Sequence, residues 1–173
     1  NGYDLIYNDI RRFGFMKFQR KKDHKHNNFL NKLGPEPLTK KFNINYLLNV
    51  AKKRNVVIKS LLMNQEVVSG LGNIYVNEAL HYSKINPLNL CNKIDKKKLI
   101  ILIKNIKKIL KTSIKYGGSS IKNYIDIDGN KGSFQQKFKV YNRANLKCKN
   151  CKGIIKKVKV LQRSTFYCSS CQK

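Results

Sequence analysis

The hydrophobic pattern along the 173 residues changes period twice. Residues 3–8 (YDLIYN) and 13–19 (FGFMKFQ) alternate apolar or aromatic side chains with polar ones, the period-two pattern of strands, with NDIRR between them as the connecting turn. A charged stretch, KKDHKHNN, follows, and LGPEPL at 33–38 carries two prolines that forbid helix there. From Asn43 the period becomes helical. Phe42, Tyr46, Leu47 and Val50 recur at i, i+4, i+5 and i+8, and a second, short helix is predicted from about Val56 to Met63. In EVVSGLGNIYVNEALHYS two glycines separate an apolar turn from a helix starting near Asn73, and Asn-Pro at 86–87 closes that section. The longest helix runs over 96–115, with Leu99, Ile103, Ile106, Leu110 and Ile114 on one face, lysines on the other, and Gly117 and Gly118 at its end. The polar stretch after it, SSIKNYIDIDGNKGSFQQ, is too long for an ordinary connector and reads as a functional loop or a partly disordered one. Residues 139–173 return to short paired strands around cysteines.

A chain of this length buries one fair-sized core or two small ones. The charge narrows the partners: 37 Lys+Arg against 9 Asp+Glu give a formal charge of +28, which opposes folding unless a polyanion or an anionic surface screens it. Nucleic acid leads. Abundant lysine, asparagine and isoleucine are also what codon drift in an AT-rich genome produces, so charge supports a partner class without marking a site. The LIILI segment at 99–103 is broken by lysines, so nothing here reads as a membrane span, and the polar, basic opening is not a signal peptide. Five cysteines, an odd number, fit a reducing, intracellular location better than a disulfide framework. Cys91 stands alone and reads as a small buried residue.

Three motifs carry chemistry. The cysteines are spaced C-x2-C-x16-C-x2-C, at Cys148, Cys151, Cys168 and Cys171. Each CxxC brings two thiolates to one tetrahedral ion from a tight turn, and sixteen residues suffice for a hairpin to return the second pair. Four thiolates fill the coordination sphere, so the metal is structural, with zinc first in line; two disulfides or four free thiols are the alternative. Too little apolar sequence lies between the pairs for the module to fold without metal. In SGLGNIYVNEAL, glycines at 70 and 72 allow a sharp turn into a helix at Asn73, whose open N-terminus suits a phosphate; taken by itself the motif reads first as an ordinary helix start. NDIRRFG puts two arginines and a ring on a turn, suited to phosphates, base edges and wedging between bases, or simply to solvent. Only six of the 37 basic residues are arginine, so a retained guanidinium points to a need for a planar, bidentate donor.

Taken in order, YNDIRRFG, LGPEPL, IKSLLMNQEVVSGLGNIYVNEALHYSKINP, YGGSSIKNY, and KVYNRANLKCKNC to QRSTFYCSSCQK resemble the C-terminal two-thirds of bacterial formamidopyrimidine-DNA glycosylase, the family that removes oxidised purines such as 8-oxoguanine. The resemblance implies a mainly α fold: a helix–two-turn–helix domain plus a C-terminal β-hairpin zinc finger, with the last strands of an N-terminal β-sandwich domain. It divides the chain into a sandwich remnant at 1–20, a linker at 21–39, the helical DNA-binding domain at 40–136 and the finger at 139–173.

The resemblance also implies roles. Arg11 corresponds to the arginine that fills the void left by an everted base, and Phe13 to the wedge beside it. Lys53 and Lys59 correspond to positions that meet DNA phosphates, and Asn73 to a phosphate-binding asparagine. Lys122 and Tyr124 fall near the loop that closes over the base. Arg163, at the tip of the finger hairpin, corresponds to an arginine that grips phosphates and takes part in β,δ-elimination, which makes it both DNA-binding and catalytic. One zinc ion is held by the four cysteines, and the partner is double-stranded DNA carrying oxidised purines or abasic sites, bound by a monomer in the bacterial cytoplasm. The family's N-terminal proline nucleophile and its assisting glutamate and lysine have no counterpart in the sequence, so the chain alone is expected to be inactive. A catalytically inactive DNA-binding or damage-sensing module is the alternative. Departures are Ile10 before the arginines, asparagines at 142 and 145 in place of glycines, and Lys152 where glycine is usual, the last the least comfortable in a tight turn.

Overall fold

The structure, a computed structural model, describes residues 2, 4, 6, 7, 9, 12–18, 20, 28–119 and 132–173. The chain falls into two compact units, Asn1–Lys32 and Leu33–Lys173. In the first, Asp9 organises the turn that follows it. Its Oδ1 accepts the Arg12 N–H at 3.1 Å and its Oδ2 the Gly14 N–H at 2.6 Å. Arg12 takes a left-handed φ of 55° there. Among the described residues 13–18 no strand forms, although their alternation predicted one. A strand exists only through its ladder, and alternation alone does not supply the neighbouring rail. A short helix, α1 (Asn28–Asn31), closes this unit.

The second unit is helical, with one hairpin: α2 (Ile44–Lys52), α3 (Ile58–Met63), α4 (Asn73–Tyr82), α5 (Lys96–Lys115), β1 (Ile155–Val160) and β2 (Arg163–Cys168). The ends of α2 and α5 are set by local groups. Asn43 caps α2, its side chain accepting the Tyr46 N–H at 3.1 Å, and Asp95 caps α5 by accepting the Lys98 N–H at 2.9 Å. At the end of α5, Gly117 and Gly118 take φ values of 66° and 81°. Their N–H groups return to Ile114 O and Ser113 O at 3.1 and 2.9 Å, the paired closure that left-handed glycine permits.

The turns between α3 and α4 are tied internally. Asn64 O accepts the N–H groups of Val67 and Val68, and Gln65 Oε1 accepts that of Gly70. The LGPEPL segment docks on these turns: Gly34 donates to Gln65 O at 2.9 Å and lies so close to the 66–67 backbone that a Cβ would stand 2.5 Å from Val67 C.

The core of the unit is aliphatic, with Leu47, Ile58, Leu62, Leu80, Leu99 and Ile106 fully buried. Truncating any of these to alanine costs about 2–5 kcal/mol. The buried face of α5 differs from the one its spacing predicts. Leu99, Ile103 and Ile106 are buried as expected, but Leu102, Ile109 and Ser113 complete the face, whereas Leu110 is half-buried and Ile114 is 68% exposed. So many positions of α5 are apolar that period alone leaves its rotation open, and contact with α4 settles it. Cys91 is buried as expected, its thiol lying 3.2 Å from Arg54 O.

The loop after α5 leaves from a closed neck. Ser133 N–H donates to Tyr116 O and Phe134 N–H to Gly118 O, at 2.9 and 3.0 Å. Gly132 packs so tightly on the Gly117 and Gly118 carbonyls that no Cβ would fit. From this neck an edge-to-face series of rings, Phe134, Phe138, Tyr141 and Phe166, runs into the finger with centroids 5.7, 5.5 and 5.1 Å apart.

A candidate nucleic-acid interface on a zinc-pinned hairpin

The hairpin pairs Ile155 with Cys168 through to Val160 with Arg163. That register leaves a two-residue turn, Leu161–Gln162, with φ values of 48° and 56°. Both central residues are left-handed, the turn whose twist suits a hairpin, and neither is the usual glycine or asparagine. Asn142 and Asn145 are also left-handed, at 55° and 65°, as their replacement of glycine predicts. Lys152 is not among the positive-φ residues; close packing falls instead on Gly153, where a Cβ would strike the Ser170 side chain.

Four sulfurs converge behind this turn. The Sγ atoms of Cys148, Cys151, Cys168 and Cys171 all lie within 4.8 Å of one another. The separations are 3.7 Å for Cys148–Cys171, 3.5 Å for Cys151–Cys168 and 3.2 Å for Cys151–Cys171. A tetrahedron of thiolates about 2.3 Å from zinc has edges of about 3.8 Å. The cage therefore fits one structural zinc, with no ligand position left for a reactive water. The Asn150 N–H on Cys148 Sγ and the Gly153 N–H on Cys151 Sγ, at 3.4 and 3.3 Å, favour the thiolate forms that a metal needs.

The finger is bolted to α4 by the half-buried Asn73 and the buried Asn77, Glu78 and His81, one face of the helix. Lys59 Nζ and Asn73 Nδ2 both donate to Ser164 O, at 3.1 and 3.0 Å, and Lys59 also donates to Thr165 Oγ1 at 2.7 Å. Asn77 Oδ1 accepts the Phe166 N–H at 2.8 Å. The Glu78 carboxylate takes three backbone N–H groups, Lys139 on Oε2 and Val140 and Tyr141 on Oε1, at 2.8–2.9 Å. His81 Nε2 lies 3.5 Å from Cys148 Sγ. Gln172 Nε2 donates to Ile85 O at 2.8 Å and closes the far end.

Electrostatics follow from this burial. Desolvation, then the Arg163 guanidinium, lower the Lys59 ammonium to about 8. Burial and then Lys139 pull His81 to about 4, so the imidazole is neutral, with its Nε2 beside the Cys148 sulfur. Burial pushes the Glu78 carboxyl up, against the three N–H groups and the Lys149 ammonium that pull it down.

The residues singled out from the sequence divide accordingly. Arg163 is exposed on the tip side of this clamp, one residue from the doubly bonded Ser164 carbonyl. Asn73 opens α4, where no side chain caps the first N–H groups, but its own amide is directed at the hairpin. Lys59 is fully buried and its ammonium meets hairpin oxygens rather than solvent. Lys53 is exposed at the C-cap of α2, and Phe13, in the first unit, is 85% exposed. Arg11, Lys122 and Tyr124 lie outside the described residues. Sequence reasoning passed over Asn77, Glu78 and His81, which share a helical face with Asn73 and read as solvated. One signal was available: Glu78 is one of only nine acids, and the one acid within the helix NIYVNEALHY.

A helix–two-turn–helix domain carrying a docked four-cysteine hairpin is the class that this architecture defines. Residues 33–124 match the family described as the formamidopyrimidine-DNA glycosylase H2TH domain, and 145–173 the zinc finger found in FPG and IleRS. The chain belongs to the formamidopyrimidine-DNA glycosylase family. It is 46% identical over 172 residues to the formamidopyrimidine-DNA glycosylase of Vibrio atlanticus, covering 99% of this chain and 63% of that protein. For the Idiomarina loihiensis protein the identity is 43% over 173 residues, with coverage of 100% and 64%. The chain thus spans slightly under two-thirds of the length of these curated relatives. Among solved structures, the Thermus thermophilus MutM (Fpg) protein superposes with a TM-score of 0.88 at 31% identity, covering 95% of this chain and 62% of that one. The Lactococcus lactis Fpg, in complex with abasic-site DNA, gives 0.81 at 35% identity, with coverage of 88% and 56%.

Proposed function

We propose that this chain supplies the DNA-binding and lesion-side contacts of a base-excision repair enzyme that removes 8-oxoguanine and formamidopyrimidines and then cuts the abasic site by β,δ-elimination. The observation that carries the reading is the convergence of Lys59 and Asn73 on the Ser164 carbonyl. It fixes the residue next to an exposed arginine, so a guanidinium stands on a rigid tip instead of a mobile loop. The uncapped head of α4 adds backbone N–H groups for a second phosphate. The Lactococcus lactis relative bound to abasic-site DNA supports the choice of ligand.

Within this reading Arg163 grips the phosphate beside the lesion and assists elimination. Lys53 meets the backbone, and Arg11 and Phe13 fill and wedge the space left by the everted base. Lys122 and Tyr124 belong to the loop that closes over that base. Lys59 acts on DNA through the hairpin it holds.

The test is Arg163→Ala, followed by titration with abasic-site duplex across a salt series. Loss of one bidentate phosphate contact is expected to weaken binding about 10–100-fold and to lower the salt slope by about one. Zinc content and helical circular dichroism should not change. Unaltered affinity at physiological salt would sink the assignment.

A further inference from the structure

Helix α5 has a face that neither the core nor the finger uses. Its buried residues, Leu99, Leu102, Ile103, Ile106, Ile109 and Ser113, point within about 60° of one direction at 3.6 residues per turn. Six positions lie within about 40° of the opposite direction: 97, 101, 104, 108, 111 and 115. Five of them are lysines, all exposed, and the sixth is Ile101. The stripe runs for about 27 Å at 1.5 Å per residue. No acid occurs anywhere in α5. Lys104 with Lys108, Lys108 with Lys111, and Lys111 with Lys115 are spaced so that like charges repel along one line.

This line faces away from the hairpin that carries Arg163. Tyr75 Oη to Ser113 Oγ at 2.9 Å and Asn105 Nδ2 to Ser83 Oγ at 3.0 Å bind α5 antiparallel to α4, so the core-facing side of α5 looks toward α4 and the hairpin while the lysines look outward. A duplex carries one charge per about 1.7 Å of axis, so a length matching the stripe holds about 16 phosphates around its whole circumference, several of them on the side turned to the lysines. An anionic bilayer also matches the charge, but a helix lying on a membrane buries an apolar face, and the exposed isoleucines of α5, at 100, 101 and 114, are too few and too far apart to make one.

We propose that the lysine stripe of α5 is a second, sequence-independent binding surface for a DNA duplex, so that one chain holds two duplex segments at once. It requires no lesion and no contact with Arg163.

The test mixes the 173-residue chain with two short undamaged duplexes carrying different dyes. Sedimentation should give the mass of one protein with two duplexes, with energy transfer between the dyes, and the second binding event should have a salt slope of about −4 to −5. The combined variant Lys104→Gln, Lys108→Gln, Lys111→Gln, Lys115→Gln keeps good helix formers at exposed positions. It should retain the first event and lose the second together with the energy transfer. Any of four results overturns the proposal: a wild-type complex with only one duplex, a variant that still bridges, a variant whose first event weakens equally because both faces share one footprint, or a wild type that prefers phosphatidylserine vesicles to duplex.

Discussion

The helical region and the finger cohere by different means. Between α2 and α5 the interior is aliphatic, and Leu47, Ile58, Leu62, Leu80 and Leu99 are removed from water entirely. Among the described residues of the finger, the buried cluster has three apolar side chains outside the cysteines: Val140, Ile155 and Phe166. What the finger lacks in apolar area it replaces with a thiolate cage and with directional bonds to α4. An aliphatic contact tolerates sliding; Asn77 on the Phe166 N–H and Glu78 on three successive N–H groups do not. A region that must aim one guanidinium is held by groups that specify orientation, and a region that must only be solid is held by burial.

The largest break in that contrast should come from removing the metal. Structural zinc contributes about 10–16 kcal/mol to zinc-finger peptides, far more than three apolar side chains supply. Chelation is expected to erase the hairpin's amide signals in NMR spectra while the helical circular dichroism of α2–α5 persists. If helical signal and hairpin vanished together, the two regions would be one cooperative unit and the contrast would fail.

A pair of substitutions one turn or less apart on α4 sharpens it further. Glu78→Gln keeps the size of the side chain but replaces one acceptor oxygen with a donor that meets an N–H group head on. With a buried acceptor lost, the cost should be about 3 kcal/mol, and amide exchange at 139–141 should accelerate. Leu80→Ala, fully buried on the same helix, should cost a similar 2–5 kcal/mol, yet leave exchange at 139–141 unchanged relative to the rest of the chain. Equal exchange profiles in the two variants would show that the finger is held by general packing after all.

This contrast also accounts for what the sequence disclosed. Apolar period located α2, α3 and α5 to within a residue or two, because those helices bury aliphatic stripes, and the glycines at 70 and 72 located the start of α4. It left the rotation of α5 open, since a helix with isoleucine at 100, 101 and 114 offers more than one apolar face. Cysteine spacing located the cage because the ion imposes it. The clamp was illegible for the opposite reason: a buried asparagine, glutamate and histidine look solvated until the N–H groups they satisfy are placed opposite them, and those lie 60 to 90 positions away in sequence. Arg163 was legible as a rare arginine in a lysine-rich chain and, through the family resemblance, as the arginine of the finger tip; its rigidity comes from Lys59, which the resemblance offered as a phosphate contact.

Lys59 therefore provides the finest test. Its amine is fully buried and faces two neutral acceptors, Ser164 O and Thr165 Oγ1, which an uncharged amine can satisfy as well as an ammonium can. The folded-state value near 8 lies below the unfolded value of 10.5. Between those values the unfolded chain holds a proton that the folded chain has released, so stability rises with pH there; below about 8 both forms are protonated and the cost of the buried charge is fully present. In Lys59→Met this contribution disappears. The unfolding free energy of the wild type minus that of the variant should rise by on the order of 2 kcal/mol between pH 8 and 10, measured by urea denaturation at each pH with zinc present. A difference that stays flat over that interval would mean that Lys59 keeps its charge in the folded state well above pH 8, so that the hairpin tip carries two cations side by side, Lys59 and Arg163, across the whole interval.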